Sequence, residues 1–355
     1  MNLVRRLAWL CLVLAFSQIV LGAIVRITGS GMGCGDHWPR CQGYWFPPLN
    51  RVDLVIEVSH RYVAAALTAA IIAFVTAAWI HRDAPGGTGR GGMFRPALLG
   101  AGLVIAAALF GAVTVWMKLA NKAVIVTHLS IAMGLLAVLV VAVVRGEEQR
   151  AAIAYATNAA GGRLRNPFLA LMGLSPSPFA RRQDHSNAHA TVSARSARAA
   201  AFGATFGFLA IVLGALTANV PGANSSCTGF PLCRGGVLPT DASQFLQFAH
   251  RIVAFGLFFF LGWLGVMIEK RREPQLAAMV RFALSAIFVQ LMVAATMVGL
   301  RLPPLWRSVH EAVGTLVWVL LFAFAYVAHR LARPIEVAES NEALIGARRM
   351  AEVRA

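Results

Sequence analysis

Long apolar runs dominate the chain, separated by short polar segments rich in Gly, Pro, Asn and Arg. A hydrocarbon layer about 30 Å thick is crossed by about 20 residues of α-helix. Eight runs reach that length. They predict membrane helices near Leu7–Val25, Ile56–Ile80, Pro96–Met117, Val124–Val144, Ala199–Asn219, Phe245–Ile268, Leu276–Gly299 and Arg307–Ala328. Arg5 and Arg6 ahead of the first run imitate the basic start of a signal peptide. That run is too long for such a segment and lacks a small-residue cleavage site, so it counts as a helix.

Composition narrows the class. Of 355 residues 58% are hydrophobic and 13% charged, against about 25% charged in an average soluble domain. A cytosolic enzyme, a disordered tail and a secreted disulfide scaffold are excluded, leaving an all-α, polytopic membrane protein. The net charge of +17 would suggest a nucleic-acid partner if it lay on one folded face. Instead the basic residues fall between the apolar runs, where they set topology and meet lipid headgroups, so no nucleic-acid partner is expected. With the N-terminus inside, the inner segments hold 22 Lys and Arg and the outer segments 8. This bias predicts both termini in the cytoplasm of a bacterial-type inner or cell membrane. Arg61 and Arg251 lie within spans and need another reason.

A polar stretch from Arg145 to about Arg198, mixed with Gly, Pro, Ser and Ala, reads as a cytoplasmic linker. A repeat crosses it. In the first half Gly22-Ala23 ends a helix, followed by Cys34, Trp38-Pro39-Arg40-Cys41 and Ser59-His60-Arg61. In the second half Gly214-Ala215 is followed by Cys227, Phe230-Pro231-Leu232-Cys233 and Ala249-His250-Arg251. Order and spacing agree, so the expected architecture is two homologous four-helix bundles, residues 1–144 and 199–330, with a cytoplasmic tail over 331–355.

Four of the nine histidines, His60, His128, His250 and His310, sit inside apolar helices. Each is expected near the outer end of an even-numbered helix, two per half and all at one depth. Interhelical hydrogen bonding could explain one such residue, but four in a duplicated pattern point to ligation. Zinc calls for four ligands, or three and a water; each half offers two histidines, with Glu57 as the one further candidate. Bis-histidine haem fits better, because the porphyrin fills four positions of the iron and two axial imidazoles complete it.

Arg61 and Arg251 follow their histidines directly and suit anionic haem propionates, since guanidinium binds carboxylate in a fork; snorkelling to outer headgroups is the alternative. Glu57 precedes His60 by one helical turn, whereas Gln247 stands in that place before His250. A carboxylate at one site only implies different jobs for the two halves. Glu57 could accept a proton or stabilise a developing cation, or simply pair with Arg61. Cys34 with Cys41, and Cys227 with Cys233, lie in outer loops facing an oxidising compartment, which favours disulfides; a redox role for one pair is the alternative. Cys11 reads as an apolar filler. His37, His81, His185, His189 and His329 have no ligand partner nearby in sequence.

The run Gly29-Ser30-Gly31-Met32-Gly33-Cys34-Gly35, then Trp38-Pro39-x-Cys41 and Glu57-x-x-His60-Arg61, with the second Cys pair and His-Arg, resembles the haem A synthase family. The resemblance spans both halves and omits mainly the linker and tails. It implies oxidation of a haem O methyl group to a formyl, giving haem A for cytochrome oxidase, with haem b as cofactor. Carried over by position, it implies that His60, His128 and Glu57 form the haem O site. His250 and His310 become axial ligands of haem b, and the cysteine pairs outer-face disulfides. Partners implied are haem O, a haem O synthase, an electron donor and membrane lipid, with a homo-oligomer left open.

Two other classes compete. A dihaem cytochrome b that carries electrons across the bilayer should stack its haems at two depths, whereas these histidines share one. A symmetrical haem-handling protein has no use for a carboxylate in one half alone. The pattern favours the enzyme.

Overall fold

The computed structural model describes residues 2–35, 40–83, 92–156, 192–227, 229–231, 233 and 239–332, with 151–156 as backbone only. Eight helices in these residues are long and apolar enough to cross a membrane: α1 (Asn2–Thr28), α2 (Val52–Ile80), α3 (Phe94–Trp116), α4 (Lys122–Ala156), α5 (Ala194–Asn219), α6 (Ala242–Lys270), α7 (Pro274–Gly299) and α8 (Pro304–Ala332). The chain is an all-helical integral membrane protein.

Most helices run beyond the apolar stretch that announced them. Hydropathy marks the part that lies in hydrocarbon, whereas a helix ends where its backbone runs out of partners. The largest difference is in α4, which continues past Val144 through Arg145-Gly-Glu-Glu-Gln-Arg to Ala156; apart from the glycine these residues favour helix strongly. The segment expected as linker therefore begins and ends in helix, since α5 starts at Ala194. Ser193 caps α5 by accepting from the Ser196 N–H, and Asp241 caps α6 by accepting from the Gln244 N–H. Residues 157–191 of the expected linker, with His185 and His189, lie outside the described residues, as do His37, Trp38, Pro39 and the tail from 333.

Side-chain size and spacing set the packing. The buried positions of α1, including Val4, Ala8, Cys11, Leu12 and Ala15, recur on one helical face. In α5 the buried face is mostly small: Ala197, Ala200, Gly203, Ala204 and Gly207. Small residues let helices approach closely in lipid; a Cβ on Gly207 would come within 2.6 Å of Leu321 Cδ1 on α8. In the first half α1 and α3 each touch α2 and α4, closing a four-helix ring. In the second, α5 and α7 each touch α6 and α8 in the same way. The rings meet through α8 against α1 and α4, and through α4 against α5. Accordingly 61% of the α8 span is buried and 11% of the α3 span, which places α8 at the centre and α3 toward lipid.

The two ends of the bundle are closed differently. At the end carrying the chain's N-terminus, buried Glu147 accepts from Arg5 Nη1 at 2.8 Å and Trp9 Nε1 at 2.9 Å, and Arg330 Nη2 donates to Glu148 at 2.9 Å. These bonds offset the cost of removing charge from water. At the opposite end α3 and α7 finish in the same unusual turn. Lys118 and Leu119 take φ of 51° and 58°, and Arg301 and Leu302 take 62° and 64°. Left-handed backbone costs a non-glycine residue roughly 1–2 kcal/mol, so its recurrence marks a position that the packing of each half demands.

Candidate functional site

Corresponding histidines of the two halves stand at the same distance from the start of their helices. His60 stands eight residues after Val52 and His250 eight after Ala242; His128 stands six after Lys122 and His310 six after Pro304. Three of the rings lie against a glycine of the neighbouring helix. A Cβ on Gly22 of α1 would meet His60 Cε1 at 3.1 Å, one on Gly111 of α3 His128 Cε1 at 3.3 Å, and one on Gly214 of α5 His250 Cε1 at 3.0 Å. Any larger residue would push the ring away. The fourth ring, His310, is braced by Gln290 of α7, whose Nε2 lies 3.1 Å from His310 Nδ1 and donates to the His310 carbonyl at 2.9 Å.

In the second half the rings of His250 and His310 approach edge to face, with centroids 6.5 Å apart and planes at 78°. Two imidazoles on opposite sides of one iron, with metal–nitrogen bonds of about 2 Å, place their centroids roughly 6 Å apart. His250 Nδ1 donates to the Ala210 carbonyl at 3.0 Å, the bond that orients a ligating histidine and leaves Nε2 for a metal. A cavity beside the pair is lined by Arg26, Gln247, Arg251, Gln290, Arg307 and Glu311, with Leu129 and Met133 reaching in from the first half. This apolar-walled space with basic residues along it fits a flat macrocycle bearing carboxylates. Arg26, from α1, pairs with Glu311 on α8, so the site is closed by both halves. Among the described residues no three of His, Cys, Asp and Glu converge as a metal-binding group, and each pair offers two nitrogen ligands.

In the first half His60 and His128 are close enough to interact electrostatically. Gln18 of α1 lies 3.1 Å from His60 Nε2. Nδ1 of both histidines is buried without a hydrogen-bond partner. Glu57 is 4% exposed and has both carboxylate oxygens occupied: Oε1 accepts from Arg61 Nη2 at 2.6 Å and Oε2 from the Cys34 N–H at 2.8 Å. Gln247 plays the matching part in the second half, accepting from the Ser226 hydroxyl at 3.4 Å and donating to the Asn224 carbonyl at 3.2 Å. The position thus ties α2 or α6 to the loop above it, with a carboxylate in one half and an amide in the other.

The two in-span arginines reach the same loops. Arg61 Nη2 lies 3.5 Å from the Gly35 carbonyl. Arg251 donates to the carbonyls of Gly229 at 2.6 Å, Pro231 at 3.0 Å and Cys227 at 3.1 Å. Each loop is also closed covalently, Cys34 to Cys41 and Cys227 to Cys233, with Cα atoms 4.6 and 4.8 Å apart. Cys11 is free and buried. Thiol labelling of denatured, unreduced protein is therefore expected to find Cys11 alone, and reduction to expose four more; rapid labelling of Cys34 or Cys41 in native membranes contradicts this.

Sequence reasoning named the histidines, the acid and the cysteines but missed Gln18, Arg26, Gln290, Arg307 and the role of Glu311. A signal was there for two of them: Gln18 and Gln290 are uncharged polar residues inside apolar runs, positions that usually serve a partner. Nothing in the local pattern tells Arg26 and Arg307 from ordinary interfacial cations. His81 is bland, as its place suggested, with Nδ1 2.8 Å from the carbonyl of Ala77 in its own helix.

The profile of a family described as COX15-CtaA, cytochrome oxidase assembly protein, matches residues 5–55 and 51–322. A protein of Geobacillus kaustophilus named heme A synthase is 38% identical over 81 residues, 22% of this chain and 25% of that protein. One of Staphylococcus aureus with the same name is 40% identical over 81 residues, 22% of this chain and 26% of that protein. A Thermus thermophilus protein named protoheme IX farnesyltransferase is 37% identical over 98 residues, 28% of this chain and 15% of that protein. The chain aligns with about a quarter or less of the length of these relatives.

Proposed function

From the premise that the chain belongs to the COX15-CtaA family of cytochrome oxidase assembly proteins, we propose that it is a haem A synthase, oxidising a methyl group of haem O to a formyl. The observation that carries this reading is the pairing of alike histidine sites with unlike neighbours. Two histidine pairs stand at matching helix positions, and only the first has a buried carboxylate, Glu57, in the place Gln247 takes in the second.

In this reading residues 1–144 hold haem O between His60 and His128, and residues 199–330 hold a resident haem b between His250 and His310. Haem b, when bound, supplies one-electron redox chemistry. The chain's own residues do the rest. Ala210 and Gln290 fix the orientation of the second histidine pair, and Arg26, Arg251 and Arg307 supply positive charge for propionates along the cavity. Glu57, gripped by Arg61 and the Cys34 N–H, presents a fixed negative charge near the first pair, where positive charge develops on the carbon being oxidised. The Lys and Arg bias puts both termini in the cytoplasm and both sites toward the outer face.

The supplier of substrate is a haem O synthase, and an electron donor completes the partners. The Thermus relative bearing a farnesyltransferase name supports a link between a segment like this one and the step that precedes it. The deciding experiment is pigment extraction from purified protein, with turnover on added haem O. Haem b together with haem O and haem A is the expected result. Haem b alone, with no turnover, turns the reading toward a cytochrome b carrier.

A further inference from the structure

The two histidine sites differ in what holds the nitrogen that a metal would take. His250 has Nδ1 tied to the Ala210 carbonyl at 3.0 Å, and its Nε2 is not engaged by a side chain of α5. His60 has the corresponding carbonyl, that of Gln18, beside its ring and adds a side-chain contact that His250 lacks. The Gln18 carbonyl lies near the ring but outside hydrogen-bond geometry, since Nδ1 has no partner, while the Gln18 side-chain Nε2 lies 3.1 Å from His60 Nε2. An amide N–H donating to that nitrogen occupies the lone pair that iron needs.

The two positions correspond. Gln18 stands four residues before Gly22, against which His60 packs, and Ala210 four residues before Gly214, against which His250 packs. Where the first half has a glutamine side chain able to reach the ring, the second has a methyl group that cannot. The second half has its own glutamine, Gln290, but its amide lies nearer Nδ1 of His310, at 3.1 Å, than Nε2, at 3.4 Å.

Resting on the function proposed above, we propose that Gln18 is the residue that makes the first-half porphyrin exchangeable: it competes with iron for His60 Nε2, so the substrate site binds and releases while the second site retains. Entry of a porphyrin requires the amide to let go of the ring, and as the porphyrin leaves the amide retakes the nitrogen before it can be bound again, which speeds net release. The amide oxygen of Gln18 is buried without a hydrogen-bond partner, so the contact with the ring is the one side-chain hydrogen bond that has to break when the amide gives way.

The test uses full-length protein loaded with iron protoporphyrin IX, with release followed into excess apomyoglobin. Two phases are expected, the fast one absent in His60→Ala and the slow one absent in His250→Ala. Removing a competing hydrogen bond of ordinary strength should slow the fast phase on the order of 5-fold in Gln18→Leu, with the slow phase unchanged. The reciprocal variant, Ala210→Gln, should speed the slow phase by a similar factor, and it decides the matter independently if Gln18→Leu fails to fold. A fast phase unchanged in Gln18→Leu, or a slow phase unchanged in Ala210→Gln, overturns the role of Gln18. Wild-type protein that takes up no haem through His60 overturns the two-site reading itself, and Gln18 with it.

Discussion

Replacing His250 or His310 with alanine is expected to abolish the low-spin bis-histidine haem b spectrum and to cut haem b content on the order of 100-fold. Changing a residue that merely supports a metal ligand costs 10- to 100-fold in affinity, and here the ligand itself is removed. The structure makes the two positions interdependent, with rings 6.5 Å apart, one anchored on Ala210 and the other braced by Gln290. Losing either would leave a single histidine to hold the haem. His60→Ala is expected to keep the haem b spectrum, because that ring belongs to the other helix ring. His81→Ala serves as the control for removing a membrane-end histidine without a site. Absorption and electron paramagnetic resonance spectra of the purified variants measure the effect, and unchanged haem b in both His250→Ala and His310→Ala sinks the assignment.

For Glu57→Gln the expected result is normal haem b, accumulation of haem O or a partly oxidised product, and loss of haem A formation by on the order of 100-fold or more. Removing one partner of a buried ion pair usually destabilises by about 3–5 kcal/mol, which would mask a catalytic role. Two features argue for a smaller cost here. The amide keeps an oxygen to accept from the Cys34 N–H or from Arg61, and Arg61 also faces the Gly35 carbonyl. The second half already holds its loop through an amide at this place, Gln247, with bonds to Ser226 and Asn224. Since both carboxylate oxygens are engaged in the structure, the role favoured is a fixed charge rather than a mobile proton acceptor. Haem composition by chromatography reads the outcome. Normal haem A makes Glu57 a structural partner of Arg61 and the disulfide loop; loss of all pigment makes its role assembly.

The site was legible unevenly, for reasons that follow from distance along the chain. Cys34 and Cys41 are separated by 7 positions and Cys227 and Cys233 by 6, so closing either loop needs little more than a turn. Glu57 and Arg61 sit on one helical face and pair as i, i+4 spacing allows. Arg251 lines the cavity beside His250 as its place next to the histidine suggested, but its bonds to three loop carbonyls could not be read from the sequence. A side chain's type tells what it can bind, but the backbone acceptors offered to it depend on how the loop folds back.

What the sequence determined by itself were the properties set by local composition and period: eight spans, four histidines at matching helical positions, two short cysteine loops and an acid one turn before the histidine of α2 where α6 has an amide. These follow from the thickness of the hydrocarbon layer and the rise of a helix, and no knowledge of neighbours is needed. The tertiary structure alone decided which faces meet. Arg5 reaches Glu147 across 142 positions and Arg26 reaches Glu311 across 285, and α8 became the central helix although its hydropathy, 1.9, is the lowest of the eight. In lipid an apolar face gains little by choosing protein over acyl chains, so partner choice rests on small-residue contacts and interhelical polar bonds. Gln18 against His60 and Gly207 against Leu321 are such contacts, and they exist only once two helices lie side by side.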